Sequence, residues 1–140
     1  MSEDKKPEET QPEEQSPVEN LAAALAAYPG APTVLTIEGW KQQFGEVMAS
    51  GFTDDELFVW RPITRREYVA LQKEMATPKE GQEPLNGFDF EDRVVKACLL
   101  WSSVKDLDSK GGTIPTLSEQ IMQNSNFTSP QLAGMLVVKL

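Results

Sequence analysis

Catalysis near neutral pH needs a poised base, a nucleophile or a metal cage, and this chain offers little of each. It has no histidine, which removes the commonest general base and the commonest metal ligand. Its single cysteine, Cys98, sits in the apolar run "VVKACLLW", where a buried small side chain is expected rather than a nucleophile. One cysteine also forms no internal disulfide, which suits a reducing compartment. "FTDDE" sets Asp54, Asp55 and Glu56 in succession but lacks the alternating oxygen ligands, central glycine and later glutamate of a calcium loop. A solvated turn is expected there. "KGGT" (110–113) places its lysine before the glycines and lacks the upstream glycine of a phosphate loop. Asp89, Glu91 and Asp92 in "DFEDR" suit the positive end of a helix, and no two carboxylates are spaced as an acid–base pair. The remaining charged constellation is Arg61, Arg65 and Arg66.

Those arginines lie in "LFVWRPITRREYVAL" (57–71), where an apolar strand meets Arg-Pro and a helix begins at once. Pro62 has no amide to donate and ends the strand. Thr64 followed by Glu67 is a capping box, so a helix is expected from Arg65 with Tyr68, Leu71 and Met75 on one face. Upstream, Thr36 is expected to cap a short helix carrying Ile37, Trp40 and Phe44, closed by Gly45. "EVMA" (46–49) and "LFVWR" (57–61) then read as the two strands of a hairpin. A lone hairpin is not stable in water, so helices must cover it.

Downstream, "TPKEGQEPLNG" (77–87) reads as a polar loop, and "FDFEDRVVKACLLW" (88–101) as the central helix with a stripe of Phe90, Val94, Ala97 and Trp101 and with Val95 and Cys98 beside it. Thr116 and Glu119 repeat the capping-box spacing ahead of another short helix with Leu117 and Ile121 inward. Ser129-Pro130 signals the start of a C-terminal helix striped by Leu132, Met135 and Leu136.

The chain of 140 residues carries a net charge of −9, unevenly spread. Residues 1–20 hold seven acids against Lys5 and Lys6, a net of −5, with three prolines and almost no apolar side chain. Such a segment is expected to be disordered. "LAAALAAYPGAP" follows as a short Ala-rich helix, capped by Asn20 and stopped at Pro29-Gly30, read as the end of a linker in preference to a docking peptide that folds on a partner. The expected organisation is therefore an acidic flexible tail over residues 1–31 and a domain over residues 32–140. That domain is α+β and mainly helical, a small antiparallel hairpin packed by four to five helices. The acidic balance disfavours nucleic acid, and no segment approaches the ~20 apolar residues of a membrane span.

The order of signals resembles a known family. "IEGWKQQFGEV", then "ELFVWRPITRREYVAL", "FEDRVVKACLLW" and "TIPTLSEQIMQNSNF" resemble the tail-assembly chaperones of long-tailed bacteriophages, and the baseplate-hub assembly chaperones of contractile-tailed phages. The resemblance spans about residues 36–127 and rests on spacing and residue character, with Trp40, Trp60, Arg61, Pro62, Glu67 and the segment Val94 to Trp101 matching. It implies a helper in the host cytoplasm that binds a tape-measure or hub protein, with no cofactor and no catalytic residue. "NSNF" departs from the pattern, which prefers a glycine before the aromatic, and the acidic tail lies outside it.

The expected function is thus non-enzymatic binding of a phage tail protein through apolar helical surface. The partner-binding set is Trp40, Trp60, Arg61, Arg65, Leu132, Met135 and Leu136. Self-association is left open, and neither nucleic acid nor membrane is expected as a partner. Two alternatives stand beside it: a minor structural protein of tail, neck or baseplate, found in the virion, and an acidic DNA-mimic inhibitor.

Overall fold

The run "LFVW" becomes intelligible once its neighbours are in place. In the computed structural model, which describes residues 16–127 and 136–140, Leu57, Phe58, Val59 and Trp60 are all buried, so this strand is covered on both faces. Alternation sends Phe58 and Trp60 to one core and Leu57 and Val59 to the other. Nine elements build these cores: α1 (Pro17–Ala27), α2 (Val34–Phe44), β1 (Met48–Thr53), β2 (Glu56–Trp60), α3 (Arg65–Ala76), α4 (Gly87–Cys98), β3 (Leu99–Ser102), α5 (Thr113–Asn124) and β4 (Leu136–Lys139).

The hairpin β1–β2 exists, but it is the middle of a four-stranded sheet ordered β3-β2-β1-β4, with every neighbouring pair antiparallel. One face of the sheet packs on Leu71 of α3, Val94, Val95 and Cys98 of α4, and Leu117 and Ile121 of α5. The other packs on Leu21 and Leu25 of α1, with Ile37 and Trp40 of α2 at its margin. The fold is α+β and mainly helical, as its local signals imply, with helices on both sides of the sheet.

Several expectations are corrected. The helix expected over 88–101 stops at Cys98, because Leu99 turns extended (φ −71°, ψ 124°) and the following residues pair with β2. Its buried stripe is Val94, Val95 and Cys98; Ala97 is exposed, and Trp101 lies across the sheet against Tyr28, ring centroids 5.7 Å apart. Residues 128–135, most of the expected C-terminal helix, lie outside the described residues, as does the acidic segment 1–15. Leu136 to Lys139 form a strand, with Val138 opposite Ala49 and Val137 opposite Ser50. Ladder hydrogen bonds to β1 outweigh the weak helical preference of two adjacent valines.

The Ala-rich segment is no linker end. Its helix is capped by Ser16, not Asn20, and buries Leu21 and Leu25 at 6% and 5% exposure. The expected boundary at Pro32 thus cuts through one of the two cores. Thr33, not Thr36, caps α2, and α5 begins at Thr113 with no side-chain cap, so the Thr116–Glu119 spacing is not a capping box. The Thr64–Glu67 box at α3 is present in both directions.

Candidate functional site

Arg61 follows β2 directly and its side chain turns inward, with the residue only 8% exposed. The guanidinium grips Glu67 with two parallel hydrogen bonds, donates from Nη2 to the Ala97 carbonyl at 2.8 Å, and stacks over the Phe44 ring at 4.7 Å. Nη1 also donates to the Pro62 carbonyl at 3.2 Å, and Nε has no acceptor. Arg61 beside it holds the Glu67 carboxyl down to about 2, and Glu67 in turn raises the guanidinium further. This cation ties together the ends of α2, β2 and α4 and the start of α3. Arg61 is therefore a structural residue and not a contact for a partner.

Trp60 is wholly buried and donates from Nε1 to Ser50 Oγ at 2.7 Å, so it too leaves the partner-binding set. Trp40 is half-buried in the core beneath α2. Leu136 pairs opposite Gly51 in the sheet, while Leu132 and Met135 lie outside the described residues. Cys98 is fully buried, and desolvation pushes its thiol up to about 12, which removes the thiolate at neutral pH. Glu56 is drawn into an ion pair with Lys110 at 2.9 Å, which lowers its carboxyl, and Asp54 and Asp55 form the exposed turn. No cluster of three or more potential metal ligands occurs among the described residues. Of the aromatics, Phe88 at the start of α4 is widely exposed, at 75%, and large aliphatic exposure falls on Val34 and Leu35 of α2.

Arg65 is the one expected site residue whose charge no described residue pairs, and it belongs to a face that extends along α3. The capping box starts the helix at Arg65 and so places Arg65, Val69 and Lys73 in one row, with Arg66 and Ala70 beside it. Arg65, Arg66 and Lys73 make no ion pair with any described residue. Both acids of α3 point elsewhere: Glu67 is held by Arg61, and Glu74 pairs with Arg93 of α4 at 3.2 Å.

A groove of 330 Å³ runs along this face, lined by Ile63, Arg65, Tyr68, Val69, Ser125 and Phe127. Its walls are fixed. Ser125 Oγ accepts from the Ile63 amide at 2.9 Å and donates to the Ile121 carbonyl at 2.6 Å, pinning the end of α5 to the entry of α3. The Tyr68 ring meets Phe127 at 4.6 Å and Phe90 edge-on at 6.5 Å. With the Ser125 hydroxyl already engaged, the groove can seat an apolar side chain and fix carboxylates at its rim. The row Arg65, Val69, Lys73 is missed from sequence alone, although its four-residue spacing is a signal that could have shown it. Ser125 and Phe127 join it only through the tertiary fold.

No known protein family, curated protein or solved structure matches this chain.

Proposed function

We propose that the protein is a non-enzymatic holding protein of phage tail assembly, which binds a tape-measure or baseplate-hub protein along α3. The observation that carries this reading is the α3 face: an apolar groove beside Arg65, continued by a strip that carries Arg66 and Lys73, with none of these three cations paired to a described residue. A built groove of this kind suits a side chain delivered on a partner's helix. The four sequence segments that resemble tail-assembly chaperones add the choice of partner. Fixed walls fit the role, since a preformed surface binds without first having to order itself.

The test is co-expression with the tape-measure and hub proteins of the same tail, followed by affinity purification. Retention of one of them, lost in Val69→Asp, is the expected result. A Val69→Asp variant that retains its tail protein at wild-type yield would overturn the assignment to α3, and no retention by the wild type would overturn the function. Mass spectrometry of purified virions separates a released helper from a minor structural protein, because only the latter is packaged.

A further inference from the structure

We propose that the outer face of α3 receives an acidic amphipathic helix. Such a segment would present carboxylates eight residues apart with a branched apolar residue midway between them; the inference rests on the reading of α3 as the holding face. Its first support is the segregation of charge on α3. Glu67 and Glu74 are engaged by Arg61 and by Arg93 of α4, leaving a row in which the only charges are cations. In a chain of net charge −9, composition alone would favour the reverse.

The second support is spacing. Arg65 and Lys73 are eight residues apart, about 12 Å along the axis, and Val69 lies midway. A helix packed alongside offers its own positions at the same interval, so two carboxylates can meet the two cations while the residue between them meets Val69. Arg66 and Ala70 broaden the strip, and the groove floored by Tyr68, Val69 and Phe127 accepts the apolar side chain. A nucleic acid fits less well. Its phosphates would find cations separated by apolar surface and a protein body that repels them.

The probes are two synthetic helices of about 18 residues, identical in their leucines, one with Glu and one with Lys at three positions: two that lie eight residues apart with a leucine midway, and one beside the first. Binding to the full chain is measured by fluorescence anisotropy at about 0.1 M salt. Three exposed ion pairs predict about a tenfold preference for the Glu peptide. Arg65→Glu/Arg66→Glu/Lys73→Glu, whose side chains are exposed, should invert that preference while leaving the circular dichroism unchanged. Equal affinity for both peptides, or indifference to the charge reversal, overturns the proposal. Tighter binding of a short single-stranded DNA than of the Glu peptide overturns it in favour of a nucleic-acid face. Binding of the Glu peptide that emerges only after deletion of residues 1–15 assigns the face to the chain's own acidic segment instead. The two levels separate cleanly. If the charge-reversed chain still retains its tail protein, the charge inference fails and the holding function stands. If the wild type discriminates the peptides but retains no tail protein, the converse holds.

Discussion

Glu67→Gln isolates the charge of the Arg61–Glu67 pair, because glutamine at that position still completes the capping box with Thr64. The change leaves a buried guanidinium with its carbonyl acceptors at Ala97 and Pro62 but no counter-charge. The fall of the Glu67 carboxyl from an ordinary 4.5 to about 2 corresponds to about 3 kcal/mol by linkage, or about 2 kcal/mol once screening of its one-third exposed side chain is allowed for. That loss lowers the melting temperature by about 6 °C for a domain of this size.

The sign follows from the depressed value. Between pH 4.5 and 2 the unfolded chain binds the proton that the folded chain refuses, so this stabilisation is complete above about pH 5 and fades as pH falls toward 2. Urea unfolding followed by the fluorescence of buried Trp60 at pH 7 and pH 3 reads both effects. Wild type and variant should differ by about 2 kcal/mol at pH 7 and by less than half of that at pH 3. Equal stability at pH 7, or a gap that does not narrow in acid, would refute the reasoning.

Ser50→Ala removes the acceptor of the buried Trp60 indole and should cost about 1–3 kcal/mol in urea unfolding; Ser50→Ala with Trp60→Phe should cost less than the sum of the two single changes. Leu21→Ala should destabilise the chain by about 2–4 kcal/mol if α1 belongs to the core, and near-zero loss would return that helix to the status of a linker. Cys98 should react with a disulfide reagent at pH 8 about a thousandfold more slowly than a free thiol, and at full rate in denaturant, since only unfolding exposes it.

Local chemistry was legible where it decides locally. The strand end at Pro62, the Thr64–Glu67 cap and the burial of Val94, Val95 and Cys98 all follow from side chains within a few residues. What escaped was long-range. "LLWS" continues the helical period of α4, and only pairing with β2 makes it a strand. "LVVK" is equally apolar as helix or strand, and its partner β1 lies more than eighty residues upstream. Arg61 enters the expected partner-binding set because nothing near it in the chain announces that Ala97 and Phe44 will close over it; its one local clue is Glu67. For the same reason the α3 face is only half legible: Arg65 is local knowledge, whereas the groove needs Phe127 of a distant segment.

α1 is eleven residues long, and Leu21 and Leu25 are its only buried side chains. Its detachment should therefore cost far less than global unfolding, so it forms the most easily opened part of the sheet's second face. Each such excursion uncovers apolar surface of the second core around Ala49 and Leu57, a patch able to drive association between molecules. Amide exchange should therefore begin in this helix, and a chain trimmed past it should gather into oligomers as its concentration rises, well before it melts.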